Sequence, residues 1–471
     1  MISAALRAPA TATSPWQLGA AELSQAFSQG SLSPVDALDS VLDRMRVVQP
    51  QINALVACDI AGARTAAQAS AQRWRLGAPL SPLDGVPLTV KDNIPVAGLP
   101  CHWGSKLYAG FLPGQDETPV QRLRDAGAVI VGKTNVPEFT LQGYTDNLLA
   151  GVTRNPWNLA LTPGGSSGGA VAAVASGIAP LALATDGGGS IRRPAGYAGL
   201  AGLKPSWGAV SRSGGLPEIL PGLEVVGPIA RSVADLVLMM RIIAGPAAGS
   251  WQAPSAPAGR QKIVYWRHIG GSPVDTQILA SVDAAAAALQ ALGHRVEEQT
   301  APACIANFNQ VAWPVLSATG LAAVLKDTDG REAELTPALR QLLAQGRALR
   351  ATDLFEAQRE VRDMRTELAQ LLTGFDLILT PSAAALPWSA SESHPTEIDG
   401  QAVGPRGHAV FTAFANAAGL PGLALPAAPS AHGLPIGLQL LGRPGADAGL
   451  LALGLDYEHH HPWRQRWPTL A

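Results

Sequence analysis

"GGAVAAVASGIAPLALATDGGGS", residues 168–190, decides how the chain folds. Its first half reads as a helix of small residues, Gly177 and Pro180 break it, and "LALAT" follows as an apolar strand closed by three glycines. The same alternation continues outward. "PVQRLRDAGAVIVGKTN", residues 119–135, reads as a helix, a stop at Gly127 and a strand "AVIVG". "DGVPLTVKDNI", residues 84–94, reads as a turn, a short apolar strand and a polar end. Further back, Ser33 is a predicted N-cap with Pro34 at the first helical position, and Leu38, Val41, Leu42 and Met45 repeat at helical spacing. Helices alternating with apolar strands predict an α/β fold, a buried and largely parallel sheet with helices on both faces.

Toward the C-terminus the texture changes. "GPAAGSWQAPSAPAGRQ", residues 245–261, is the best candidate linker. "KIVYW" then reads as a strand, 276–293 as an Ala-rich helix, and 332–373 as long helical patterns rich in Arg, Glu and Gln. "FDLILTPS" restores strand character, and "AGLPGLALPAAPSAHGLPIGLQLLG", 418–442, reads as two strands joined by a Pro/Gly turn. We therefore expect one domain over 1–471: a core to residue 245, a variable cap or insertion over 250–370, and returning strands with a C-terminal helix over 371–471.

The bulk numbers narrow the function. Of 471 residues, 47% are hydrophobic and 15% charged, which favours a large core over disorder. A net charge of −2, with Arg192-Arg193 the only short basic cluster, gives no support for a nucleic-acid partner. Cys58, Cys101 and Cys304 are widely spaced and odd in number, forming neither a disulfide framework nor a zinc pattern. That predicts a reducing compartment. The N-terminal "MISAALRAPATATSPWQ" lacks a signal-peptide core, and no apolar run is long enough to span a bilayer, so a cytoplasmic protein is expected.

Some motifs mislead. Gly127 to Thr134 matches a phosphate-loop pattern, but a helix precedes Gly127 and a β-branched strand fills the space where an open loop is needed. "EHHH", Glu458 to His461, cannot turn three consecutive imidazoles to one helix face, so a surface helix end is expected there and no metal. His408 and His432 have no nucleophile motif nearby, and no GxSxG elbow occurs.

Chemistry concentrates elsewhere. Lys91 ends an apolar run where a charged amine is out of place. "TPGGSSGGAVAA", 162–173, and "ATDGGGSIRRPAG", 184–196, each set serine among glycines. Serine needs a base to take its proton, and lysine serves once desolvation lowers its pKa from about 10.4 toward 7 to 8. The glycines before Ser190 leave N–H groups unobstructed, able to hold an oxyanion at roughly 3 to 4 kcal/mol per donor.

Taken together, "GVPLTVKDN", "TPGGSSGGAVAAVASG" and "TDGGGSIRRPAGYAGLAGLKPSWGAVS" closely resemble the amidase-signature hydrolases, and the C-terminal strands extend the likeness from about residue 16 to 468. The resemblance implies a central mixed, mostly parallel sheet sandwiched between helices. It implies a Ser–cis-Ser–Lys triad: Ser190 as nucleophile, Ser166 (not Ser167) as bridge, Lys91 as base. Gly187, Gly188, Gly189 and Ser190 would form the oxyanion hole, with Thr185, Asp186, Arg192 and Ser167 in support. The family often has Thr where this chain has Gly187. The loop "FTLQGYTDN", 139–147, would bring Gln142, Gly143 and Tyr144 to the substrate. Among branches, the chain looks most like bacterial amidases and urethanases that cleave small amides and carbamates, with esters as further substrates, no cofactor, and a monomer or homodimer. The rivals are an amidotransferase A-type subunit that releases ammonia from glutamine, an aryl esterase or acylamidase, and an inactive partner protein.

Overall fold

In a computed structural model that describes residues 14–244, 259–328 and 330–470, the opening stretch folds as its pattern predicts. Gly168–Ser176 is a helix with every residue buried, and Gly177 ends it at φ +85°, a conformation only glycine adopts without strain. Leu181–Asp186 is a strand. Its alternate side chains divide between two cores: Leu181 and Leu183 belong to the large core that also takes in the helix Val233–Ile243, while Ala182 and Ala184 pack with Val171, Val174 and Ala195. That period-two division places helices on both faces.

The strands in chain order are β1 (Leu55–Cys58), β2 (Pro87–Lys91), β3 (Val129–Thr134), β4 (Leu181–Asp186), β5 (Ala201–Lys204), β6 (Val225–Ala230), β7 (Lys262–Tyr265), β8 (Arg295–Glu298), β9 (Leu377–Pro381), β10 (Glu397–Ile398), β11 (Gln401–Ala402), β12 (Gly422–Pro426) and β13 (Gly437–Gly442). All but β10 and β11, which pair with each other, join a mixed sheet in the order β1-β3-β2-β4-β6-β5-β12-β13-β9-β7-β8. The α/β class and the mixed sheet are as expected. Parallel pairing runs through β3–β2–β4 and β9–β7–β8. The remaining pairs are antiparallel, β1–β3 at one edge and the others in the centre, a larger share than the helix–strand alternation suggests. The short link between β12 and β13 leaves no room for a crossover, so that pair must run antiparallel.

The predicted helix start holds: Ser33 accepts from the Asp36 N–H and Leu38, Val41 and Leu42 are buried, with Met45 packed beside them. The N-terminal 13 residues and 245–258, most of the candidate linker, lie outside the described residues. Within 250–370, β7, β8 and the helix Thr276–Ala291 extend the sheet, whereas the helices Trp313–Val324 and Pro337–Ala348 flank the cleft described below.

The phosphate-loop match is occupied by β3, and Lys133 is buried 3.4 Å from Asp92 Oδ1. At the C-terminal helix Asp447–His460, Glu458 turns inward to accept from the Val233 N–H, while His459, His460 and His461 are exposed. Among the described residues no helix is long and apolar enough to cross a membrane.

Candidate active site

Because β2 and β4 run parallel, their C-terminal ends emerge at one edge of the sheet, beside the point where pairing turns antiparallel at β6. Such switch points in α/β sheets leave a crevice for ligands. Lys91 ends β2 there, fully buried, with Nζ 2.8 Å from Ser166 Oγ, 2.9 Å from Thr185 Oγ1 and 3.1 Å from the Thr185 carbonyl. Burial pushes the Lys91 amine down from 10.5 to about 7, against the opposing charges of Asp186 and Glu224. Ser166 follows a cis peptide bond from Gly165. It is the serine beside Lys91. Ser167 instead starts the helix Gly168–Ser176 and donates its hydroxyl to the Thr185 carbonyl at 3.3 Å. Ser166 and Ser190 line the same inner pocket, of about 30 Å³.

Asp186 shapes the glycine turn. Its carboxylate accepts from the N–H of Gly189 at 2.6 Å and of Ile191 at 3.0 Å, and the Arg192 guanidinium grips it at 3.0 and 3.1 Å. Burial alone would raise its pKa, yet Arg192, together with the Asn416 amide, holds the carboxyl far below the usual range. This corrects one expectation. The Gly189 N–H is engaged with Asp186, because the turn at φ +110° points it back toward β4, so it is not an oxyanion donor. Gly187, Gly188 and Ser190 line the pocket; Gly189 does not. A side chain at Gly188 would strike the Trp313 ring, whereas one at Gly187 would meet only Glu224 and Leu220, at 3.3 Å.

The inner pocket adjoins a cleft of about 800 Å³, with Leu141, Gln142, Trp313 and Arg406 lining both. Gly143 and Tyr144 line the cleft, so with Gln142 the 139–147 loop lies beside Ser166 and Ser190. Tyr144 also packs against Tyr197, Ala383 and Trp388. Gly143 has no room for a side chain: a Cβ would come within 2.2 Å of His408 Nε2. His408, set aside on sequence, is buried at the cleft wall, and burial drives its pKa well below 6.5.

Four residues at the site escaped the sequence pattern. Asn93, two positions past Lys91, bonds the Thr185 hydroxyl at 3.0 Å. Arg193 ties the two Gly/Ser elements together, donating to the carbonyls of Gly188 at 2.5 Å and Gly165 at 3.4 Å. Trp313 and Arg406 line both inner pocket and cleft, with the guanidinium 4.2 Å above the indole. Only Arg193 carried a signal, the doubled arginine after Ser190; the others reach the site through the fold.

Comparison with known proteins points to one family. A family model for amidases matches residues 36–451. The A subunit of the glutamyl-tRNA(Gln) amidotransferase of Symbiobacterium thermophilum is 34% identical, covering 95% of this chain and 98% of that protein. An acylamidase of Rhodococcus erythropolis is 33% identical over 96% of this chain and 97% of its own. The crystal structure of a bacterial aryl acylamidase of the amidase-signature family superposes with a TM-score of 0.88 at 29% identity, over 95% of this chain and 97% of that one.

Proposed function

The chain belongs to the amidase-signature family, a hydrolase family acting on carbon–nitrogen bonds, and from that premise we propose that it cleaves small linear amides and carbamates through an acyl-enzyme on Ser190. The observation that carries the proposal is the Lys91–Ser166 hydrogen bond at 2.8 Å, made by a buried amine with a pKa near 7, beside a pocket that Ser190 lines. Neutral Lys91 takes a proton from Ser166 as Ser166 takes one from Ser190. The Ser190 oxygen attacks the carbonyl, and the N–H groups of Gly187, Gly188 and Ser190 stabilise the oxyanion. The relay then returns the proton to the leaving amine, and water attacks the acyl or alkoxycarbonyl enzyme. The similarity to acylamidases supports amides as substrates; carbamates and aryl esters enter because the same carbonyl addition serves them. Three unpaired cysteines support a cytoplasmic setting, and we propose a monomer or homodimer acting on small molecules.

A second function is favoured by the identity to the amidotransferase relatives: release of ammonia from glutamine within a larger assembly. One experiment separates the two. Purified protein is offered aryl amides, aryl carbamates, aryl esters and glutamine, and labelled with a fluorophosphonate probe. Small amides and carbamates should turn over without added proteins, and Ser190→Ala should abolish labelling and lower kcat by at least about 10³-fold. Ser166→Ala should lose most activity and Ser167→Ala less. Turnover of glutamine alone would favour the amidotransferase, and labelling that persists in Ser190→Ala would remove Ser190 as nucleophile.

A further inference from the structure

Two guanidinium groups line the inner pocket without an ion pair among the described residues. Arg406 lies across its wall, and among the described residues its side chain makes no ion pair and no hydrogen bond with a protein group; its Nη2 is buried without a partner. It lies over the Trp313 indole, whose outer ring edge meets Gly188. Arg193 is fully buried nearby and bonds only to neutral oxygens: the Gly188 and Gly165 carbonyls and the Thr412 hydroxyl at 2.7 Å. Burial, helped by repulsion from Arg193, lowers the Arg406 pKa to about 9, which leaves it charged at neutral pH. Among the described residues, Glu224 is the only acid lining pocket or cleft, and it is already bound to Arg212 at 2.7 Å.

An unpaired charge in a low-dielectric wall is costly unless something in the working state compensates it. Elsewhere in this protein buried arginines are compensated in different ways: Arg192 grips Asp186, Arg212 holds both Glu117 and Glu224, and Arg231 lies over the Trp467 ring while donating to the Arg464 and Arg466 carbonyls; among the described residues the half-buried Arg406 has a ring alone. Arg406 is also pre-set for one ligand type. Its guanidinium lies 4.2 Å over the indole, and its paired N–H donors match a carboxylate. Water is the weak competitor, since its neutral oxygen accepts without cancelling the charge.

We propose that Arg406, carried on Trp313, forms an anion subsite that selects amides bearing a carboxylate. The subsite rests on the hydrolase function proposed above and names its substrate class. The carboxylate belongs either to the acyl part or to the leaving amine, because Arg406 borders both the inner pocket and the outer cleft.

Two matched pairs of anilides test it. Succinic 4-nitroanilide against butyric 4-nitroanilide places the charge on the acyl side. N-butyryl-4-aminobenzoate against N-butyrylaniline places it on the amine side. The charged member of one pair should have the higher kcat/KM, and Arg406→Gln should lower the charged-to-neutral ratio in that pair at least tenfold. Arg406→Lys, which keeps the charge without the flat fork, should retain part of the preference and serves if the glutamine variant fails to fold. The responding pair identifies the side. Ratios that stay within twofold in both pairs for both variants would overturn the subsite and leave Arg406 as packing for Trp313. Binding is read separately by calorimetry of the two charged anilides on Ser190→Ala protein, with and without Arg406→Gln. A tenfold or greater loss of affinity supports the subsite even if no anilide turns over, an outcome that would count against the hydrolase function alone. Equal affinities overturn it whether or not the enzyme is active.

Discussion

A neutral amine has two hydrogens and one lone pair, and the three neighbours of Lys91 divide them. The Thr185 carbonyl can only accept, so it takes one hydrogen. The Thr185 hydroxyl can give its own proton to Asn93 Oδ1, at 3.2 Å, and is then an acceptor for the second. In the mechanism proposed above, the lone pair is then left for Ser166, as a base requires. Thr185 and Asn93 are thus positioning residues, and Thr185→Val removes one acceptor without changing the shape. The amine gains its charge as it takes up the proton, and a hydrogen bond to a charged group is worth about 1.5–3 kcal/mol, so kcat should fall roughly 10- to 100-fold with a smaller change in KM. Steady-state kinetics on an aryl amide check it, and a change confined to KM would show that Thr185 acts on binding. In the parent protein kcat/KM should rise with pH through about 7 and then level off, because the neutral amine is the active form. Lys91 and the serines were legible in sequence because a charge closing an apolar strand and serines among glycines are local anomalies. Asn93 was not, since an asparagine after a strand is ordinary until the fold sets β4 beside it.

Helix Trp313–Val324 has an almost uniformly apolar sequence, so periodicity alone gave no sign of which face it would bury. The structure shows what sets it. Gly320 meets the backbone of Ile219, where a Cβ would lie 1.7 Å from the carbonyl oxygen. Gly346, on Pro337–Ala348, meets the Ala318 carbonyl with a Cβ distance of 2.0 Å. Two glycines on neighbouring helices therefore let the helix approach closely enough to seat Trp313 over Gly188. Gly320→Ala should push the helix outward at a cost of about 1–3 kcal/mol and loosen the inner pocket. Thermal unfolding should show a lower Tm, and kcat/KM for aryl amides should fall while a small fluorophosphonate still labels Ser190. An unchanged Tm with normal turnover would mean that the helix accommodates a methyl and that Trp313 is held by other contacts. The helix Gly168–Ser176 was readable because glycine and proline punctuate it on the sequence itself. The fit of the cap helix is a contact between segments about 100 residues apart, which no local pattern encodes.

Across the whole molecule, charges are buried in a connected centre that joins the two halves of the chain. Arg192 reaches Gln439 and Asn416, 247 and 224 positions away, and so binds the glycine turn after β4 to β13 and to the helix Ala413–Ala417. Sequence order showed the alternation of elements but not this closure, because the partners are single polar residues within apolar strands and helices. Lys204, at the end of β5, belongs to the same centre. It is fully buried, donates to the Pro205 carbonyl at 2.8 Å, and burial lowers its pKa from 10.5 to about 7, with Arg192 acting in the same direction and Asp186 and Asp447 opposing. Between about pH 7 and 10.5 the unfolded chain keeps a proton that the folded Lys204 has lost, so stability must rise with pH across that window. Below about 7 both states bind the proton, and the cost of the buried cation is fully present. Lys204→Met removes this dependence while keeping a similar volume, and the lost Pro205 hydrogen bond contributes equally at every pH. The parent protein should therefore gain stability relative to the variant from pH 7 to 9.5, by up to about 1.4 kcal/mol per pH unit. Urea unfolding of both proteins at the two pH values measures the difference, provided each unfolds reversibly. Parallel behaviour would mean that Lys204 stays protonated in the folded protein, and the buried centre would then have to carry that charge on its carboxylates alone.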